Sequence, residues 1–371
     1  MSGTPDHSSG LPIGLRAVRL FIRLALALTP KRRMVLIRSF PDFDDTTRAV
    51  AQEAFAQRVP IVVLTSGSPG PKWLPPTGIE LVEASSIKGF WRYIRASHVF
   101  YTHGLYLSPL PPRRTTVVNV WHGMPIKKIC AQIGERLIPA FTFTVATSAY
   151  FSALLAEAFE VPLGSVLETG LPRNDILVES MRSRLRSEAE PTIALLPTYR
   201  ASARGAIRVD GEAGADVAPE RIIAELAELL ERKGWRAFVK PHPMAPKEEY
   251  ARWLAPRIDV VTDSDLQASG ETLYERLGHC HILITDYSSI AVDAALVGIP
   301  VAFVQSDALA YEANRGLNMS PEQLASLGQV FGSWDELLAH LRNLPAGLPT
   351  TPKINEDSTR RLFEKIGLAT K

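Results

Sequence analysis

Residues 283–303, LITDYSSIAVDAALVGIPVAF, hold the unit that decides the fold. An apolar run over 281–285 breaks at Asp286-Tyr287-Ser288-Ser289. A helical pattern of small and apolar residues follows over 288–297, and a second apolar run starts after Gly298, at 300–304. A strand, a helix and a strand in that order form a crossover, and a crossover joins parallel strands.

The same alternation extends outward in both directions. Apolar runs at 34–38, 60–64, 97–101, 116–121 and 142–146 read as strands, as do 192–196, 236–240 and 258–261. Helical patterns cover 45–57, 148–158, 173–187, 220–233, 271–278, 333–343 and 356–367. Repeated β–α alternation predicts α/β architecture with parallel sheets covered on both faces. The polar, proline-ended stretch 180–191 divides two such series of similar length. The expected organisation is a tail and basic amphipathic helix at 1–33 and two doubly wound, Rossmann-like domains at 34–187 and 188–371, facing each other across a cleft. The last helix is a candidate to pack back on the first domain. Residues 202–219, Gly/Ala/Asp-rich and aperiodic, read as a mobile loop.

Composition sets outer bounds. The chain has 371 residues, 46% hydrophobic and 22% charged, with a net charge of +2. That length accommodates two ordinary domains, and so small a charge does not imply nucleic acid. Cys130 and Cys280 are far apart and match no metal or redox spacing, which suits packing thiols in a reducing compartment.

The segment IGLRAVRLFIRLALALTPKRR, 13–33, reads as a helix. Arg16, Arg19 and Arg23 share a narrow arc, and Ile13, Leu15, Val18, Leu20, Phe21, Ile22 and Leu24 cover most of the rest. Three arginines within the apolar run argue against a spanning helix or a signal peptide. An in-plane helix on an anionic membrane surface fits, with Lys31, Arg32 and Arg33 adding charge. The plainer alternative is a helix packed on its own domain.

In doubly wound sheets, ligands bind beyond the carboxyl ends of the strands. The unusual residues cluster there. His122-Gly123-Met124-Pro125 with Lys127 and Lys128 follows 116–121, and Pro197-Thr198-Tyr199-Arg200 follows 192–196. Lys240 with Pro241-His242-Pro243 ends 236–240, and Asp286 to Ser289 follows 281–285. Gly170-Leu171-Pro172-Arg173-Asn174-Asp175 follows a short strand-like piece at 165–169.

Each cluster has a chemical reading and a plainer one. Ser288 and Ser289 open a helix whose unpaired N–H groups suit phosphate, and Asp293 on the same face suits ribose hydroxyls. The alternative is an ordinary serine cap beside a solvated carboxylate. Lys240 and Arg200 suit a diphosphate or a phosphoryl group in transfer, or else surface ion pairs. His242, held between two prolines, suits a phosphate contact or proton donation to a leaving group; the alternative is a structural loop histidine. His122, at a rigid sheet end with Gly123 opening the backbone to substrate, suits a general base; the alternative is a polar residue within a Gly/Pro turn.

Together WHGMPIKKI (121–129), TGLPRNDIL (169–177), LLPTYR (195–200), VKPHP (239–243) and LITDYSSIAVDAALVGIPVAF resemble the CDP-glycerol glycerophosphotransferase family, the teichoic-acid primases and polymerases. SFPDFDDTTRAVAQEAF (39–55) looks like that family's first strand-to-helix turn, and the resemblance runs from about residue 34 to about 305. It implies a GT-B architecture and transfer of an alditol phosphate from a CDP-alditol such as CDP-glycerol to a hydroxyl of a lipid-linked or polysaccharide acceptor, with CMP released. By resemblance His122 is the base on the acceptor half, and His242, Lys240, Arg200, Ser288 and Ser289 hold the donor diphosphate. Thr198, Asp286 and Asp293 belong to the same donor half. Gly123, Lys127, Lys128, Arg173 and Asp175 are acceptor or cleft positions. No metal or other cofactor is implied. The enzyme is expected on the cytoplasmic face of a membrane. Met124 stands where the family more often has Thr, and Tyr199 where it more often has Trp or Phe. The competing readings are a GT-B glycosyltransferase using a nucleotide sugar and a non-catalytic, membrane-attached binding protein.

Overall fold

The computed structural model describes residues 12–67, 70, 71, 74, 78–135, 140–186, 189–198, 218–240, 251–348, 353 and 357–369. Contacts group them into two units: the described residues of 1–124, 129–176 and 356–371, and those of 125–128 and 177–355.

The first unit is built on one parallel sheet of seven strands: β1 (Arg32–Arg38), β2 (Ile61–Thr65), β3 (Ile79–Glu83), β4 (Ala96–Tyr101), β5 (Thr116–Asn119), β6 (Phe143–Val145) and β7 (Val166–Leu167). Their spatial order is β3-β2-β1-β4-β5-β6-β7. β1 buries four consecutive residues, Met34 to Ile37, as a central strand covered on both faces must. Met34, Leu36, Val62, Leu64, Val99 and Tyr101 point into one core with Tyr93 and Ile94 of α3 (Ile87–Arg95) and Ile22 and Leu26 of α1 (Ile13–Leu28). α2 (Asp45–Ala56) follows β1, and its cap Asp44 accepts from the Thr47 amide at 2.8 Å. α4 (Ala149–Ala158) and the start of α5 (Arg173–Arg184) follow β6 and β7.

α1 uses an unexpected face. Arg19, Ile22 and Leu26 point inward, with Arg19 only 5% exposed and donating to the Ser108 carbonyl at 3.0 Å. Leu20, Ile13, Leu24, Leu28 and Phe21 lie within an arc of about 100° on the far side. All five are exposed, Phe21 at 62% and Leu28 at 80%. One member of the arginine arc therefore serves the core, while the most apolar arc faces outward.

The second unit repeats the plan with β8 (Thr192–Leu195), β9 (Arg236–Val239), β10 (Ile258–Val260), β11 (Ile282–Thr285), β12 (Val301–Val304) and β13 (Gln329–Phe331), in the order β10-β9-β8-β11-β12-β13. Numbered within the unit this is 3-2-1-4-5-6, the doubly wound order, and the first six strands of the other sheet follow it too. The order reverses between β1 and β4 in one sheet and between β8 and β11 in the other. α6 (Glu220–Lys233) and, further along, α12 (Trp334–Asn343) pack with Trp235 and Trp253 in its core. Between them come α7 (Asp263–Ser269), α8 (Leu273–Gly278), α9 (Ile290–Val297), α10 (Ala308–Arg315) and α11 (Pro321–Leu327).

One segment departs from the sequence reading of organisation, which set the boundary at 187/188. The polar stretch from Ser180 is packed: the Ser180 hydroxyl donates to the Glu275 carbonyl and the Arg184 guanidinium to that of Cys280. α5 accordingly passes into the second unit after Ile176. The last helix, α13 (Ser358–Lys365), belongs to the first unit, where Phe363 stacks on Phe100 of β4 with centroids 5.5 Å apart.

Candidate active site

In the first unit the chemistry gathers beyond the carboxyl ends of β1, β4 and β5. The backbone leaves β5 through a tight turn, with Trp121 at φ +51° and Gly123 at φ +141°. The latter is a conformation a side chain opposes, which explains the glycine. Trp121 N–H donates to the Asn119 side chain at 3.1 Å, and Arg173, the first residue of α5, donates to the His122 carbonyl at 3.0 Å. The turn is therefore held at both ends.

The His122 ring packs on two others. Trp121 lies 4.0 Å away between centroids, and His103 stacks on it at 4.4 Å with planes 12° apart. His103 follows β4, its Nδ1 2.9 Å from the Thr102 hydroxyl, and Phe40 meets it edge-on at 5.6 Å. The Phe40 amide donates to the same hydroxyl at 3.1 Å, which ties the end of β1 to the end of β4 where the strand order reverses.

Part of His122 is open to solvent, but the atoms crowding its ring penalise the charged form. With His103 and Arg173 adding repulsion, its pKa falls to about 3, against the pull of its hydrogen bond to the Thr102 carbonyl. Crowding by neighbouring atoms and Arg173 lower His103 as well, although its side chain, like that of His122, is exposed to solvent. Asp44 lies nearby in the opposite condition: burial raises it to about 6, although Thr47, Arg173 and Ser39 favour its charge. Asp42, of the Asp42-Phe43-Asp44 acidic pair, is committed to Arg38 at 2.6 Å.

Asp175 is engaged elsewhere. Its carboxylate accepts from the amides of Ser358 and Thr359, both at 2.8 Å, and from the Thr359 hydroxyl at 2.6 Å, capping α13. Gly170 faces the same helix start: its φ is +84°, and a Cβ there would stand 2.5 Å from Ser358 Oγ. Lys127 and Lys128 go with the second unit. Lys127 bridges Leu317, the Lys128 amide donates to Gly316 O at 3.1 Å, and Lys127 Nζ lies 5.8 Å above the Tyr311 ring.

In the second unit the groups again sit where the strand order reverses. Thr198 follows β8 and Asp286 follows β11. The buried Asp286 carboxylate accepts from the Thr198 amide at 2.9 Å, from the Thr198 hydroxyl and from its neighbour Tyr287's amide at 2.7 Å, joining the two strand ends. Lys240, buried at the end of β9, pairs with the half-exposed Asp263 at 2.8 Å. Ser289 precedes α9 in helical conformation, and its hydroxyl makes no cap bond. Ser288 is half-buried beside it. Asp293 is fully buried and accepts from the Tyr274 hydroxyl at 2.5 Å, so it braces α9 against α8. Arg200, His242, Tyr199 and nearly all of the 202–219 loop lie outside the described residues.

His103 is the member that sequence reading missed. Its signal is present in YTHG, 101–104, which repeats the strand-end histidine–glycine of VWHG, 120–123.

The family model for CDP-Glycerol:Poly(glycerophosphate) glycerophosphotransferase matches residues 20–360. The chain is 24% identical over 281 residues to the teichoic acid ribitol-phosphate polymerase TarL of Staphylococcus aureus, covering 67% of this chain and 46% of that protein. It is 25% identical over 278 residues to the teichoic acid poly(glycerol phosphate) polymerase of Bacillus spizizenii, covering 65% and 64%. The solved wall teichoic acid polymerase TagF shares the fold, with a TM-score of 0.63 and 18% identity over 90% of this chain and 86% of that one. The chain spans about half the length of the curated relatives it matches.

Proposed function

Since this chain belongs to the CDP-glycerol:poly(glycerophosphate) glycerophosphotransferase family, we propose that it moves an alditol phosphate, glycerol phosphate foremost, from a CDP-alditol to a hydroxyl of a lipid-linked or polymeric acceptor. The product belongs to a teichoic acid or a related cell-surface polymer. The acceptor oxygen attacks the distal phosphorus, the bond from that phosphorus to the bridging oxygen breaks, and CMP leaves with the electron pair. The acceptor proton passes to His122.

The observation that carries this reading is the state of His122. Its ring packs on Trp121 and His103 just beyond β5, its N–H is engaged by the Thr102 carbonyl, and a histidine is in any case largely unprotonated at neutral pH, which leaves the other nitrogen open to a proton. A neutral imidazole with one free lone pair, fixed at the end of a strand, is what a general base requires.

The second unit is assigned the donor. Lys240 supplies a cation that can exchange Asp263 for phosphate, and the start of α9 supplies N–H groups beside Ser288 and Ser289. The Asp286–Thr198 pair fixes the turn that presents them. Arg200 and His242 keep the donor roles implied by LLPTYR and VKPHP. We read the two parallel sheets as the halves of a GT-B fold.

Membrane association completes the reading. Among the described residues no helix is long and apolar enough to cross a membrane. The outward apolar arc of α1 suits the interface of an anionic bilayer, in the plane of its inner face. Phe21→Glu with Leu24→Glu should abolish sedimentation with anionic vesicles while CMP release in solution continues; undiminished sedimentation removes the claim.

Incubation with CDP-glycerol and an acceptor primer, set against UDP- and GDP-sugars, tests the chemistry. CMP release with glycerol phosphate on the acceptor supports the proposal; nucleoside diphosphate release with sugar transfer overturns it. His122→Ala should lose on the order of 10²-fold or more in kcat. A folded His122→Ala variant with full turnover removes the base assignment.

A further inference from the structure

We infer that His103 is a positioning residue for His122: stacked on its ring and anchored by Thr102, it fixes the plane in which the His122 imidazole meets the acceptor hydroxyl. The inference rests on His122 being the base.

The geometry is specific. The two imidazoles lie face to face, 4.4 Å between centroids and within 12° of parallel. Thr102 serves both rings: its hydroxyl is 2.9 Å from His103 Nδ1, and its carbonyl takes the hydrogen bond of His122. One residue at the end of β4 therefore sets the plane of one ring and the tautomer of the other. The edge of Phe40 closes on His103 at 5.6 Å, and the Phe40 amide holds the Thr102 hydroxyl from the β1 side. The alignment thus passes from the backbone of two adjacent central strands, through His103, to the ring of His122. A base on a turn is as well aimed as its support, and misplacement by about 1 Å can cost on the order of 10²-fold in rate.

Charge acts in the same sense. Among the described residues the groups acting on the His122 ring are His103, from the end of β4, and Arg173, from the start of α5; Asp44, at the cap of α2, faces Arg173 in turn. Two stacked imidazoles cannot both carry a proton cheaply, and Arg173 disfavours one on either. His103 therefore also helps to keep the base free of a proton as the pH falls.

The test compares His103→Ala with His103→Phe, each measured for kcat, KM and pH profile alongside a thermal melt. Phenylalanine keeps a ring to stack on and loses the titratable group. The Ala variant should lose roughly tenfold to 100-fold in kcat with acceptor KM changed less than about twofold. Its acid limb should move upward, toward the ordinary histidine value, as crowding and charge are relieved. The Phe variant should recover most of the lost kcat. A Phe variant as slow as the Ala variant, or an Ala variant whose kcat and acid limb match the parent, overturns the inference. Because it uses the Phe variant, the comparison holds even where His103→Ala folds poorly. If His122→Ala turns over normally, the base reading itself fails; if His122→Ala is inactive and both His103 variants behave as the parent, this inference alone fails.

Discussion

The guanidinium of Arg173 holds the carbonyl oxygen of His122 at 3.0 Å, joining the first residue of α5 to the turn after β5. The contact serves two ends. It fixes a backbone carrying two positive φ angles, at Trp121 and Gly123, and it places a permanent cation beside the ring. Arg173→Ala should therefore lower kcat roughly tenfold or more and shift the acid limb of the rate profile upward, because the cation no longer opposes protonation. Arg173→Lys should keep the profile while recovering kcat only in part, since a lysine lacks the planar fork. Identical profiles for the Ala variant and the parent would show that the charge does not reach the base.

The two kinetic profiles of the parent enzyme should themselves differ. The acid limb of kcat/KM reports the free enzyme and that of kcat the bound complex. In the free enzyme His122 is depressed to about 3 by crowding and by His103 and Arg173. In the proposed reaction a donor phosphate reaches the base, where it would offset the cation and stabilise protonated imidazole, so the limb of kcat should lie at higher pH than the limb of kcat/KM. Coincident limbs, or the reverse order, would separate His122 from the donor phosphates.

Stability should fall on acidification. His281 is lowered to about 4 by burial and Arg184, and its Nδ1 takes the Thr192 amide at 3.2 Å. Below about 6.5 the unfolded chain binds a proton there that the folded chain refuses until about 4, so folding is favoured as pH rises across that window and disfavoured as it falls. His98, His103 and His122 act in the same direction. The melting temperature should drop between pH 7 and pH 4.5, and His281→Asn, which keeps an acceptor for Thr192, should flatten part of that slope. An unchanged slope in the variant would exclude His281.

Asp175 caps a helix that begins 183 residues further along the chain. Asp357, at the cap position of α13, has φ +65° and offers no side-chain bond, so the cap comes from Asp175 alone among the described residues. Asp175→Ala should cost about 1–2 kcal/mol in urea denaturation and expose the segment after Asp357 to limited proteolysis. Asp175→Asn should recover part of the loss. Unchanged stability in the Ala variant would place the attachment of α13 in Phe363 packing instead.

The sequence reveals the sheets more readily than the site. Short apolar runs such as 282–285 declare themselves because burial on both faces leaves few polar positions, and α6 because Ile222, Ile223, Leu226, Leu229 and Leu230 recur at helical spacing on its buried side. α3 stays hidden because it is short, nine residues, and its core-facing side rests on Gly89, Phe90, Tyr93 and Ile94 alone. The strand-end rule places His122, Thr198, Lys240 and Asp286 beyond the carboxyl ends of strands, and the structure has them there, since rigid ends and glycines are visible in one dimension. It passes over His103, which stacks on a partner from the next strand, and it does not reveal that Asp175 and Asp293 are engaged within the fold. Both carboxylates are engaged by groups distant in sequence, Ser358 and Thr359 in one case and Tyr274 in the other.

The attachment of α13 also dictates an order of assembly. Residues 177–355 make up nearly all of the second unit, and the first unit receives its closing helix only afterward. Until the segment after residue 356 is free of the ribosome, the earlier half presents the open side of Phe100 and an uncommitted Asp175. A chain released early lacks the piece that completes the lobe bearing His122, so ribosomes that stop short should yield products with an intact carboxyl-side lobe and an unstable amino-side one.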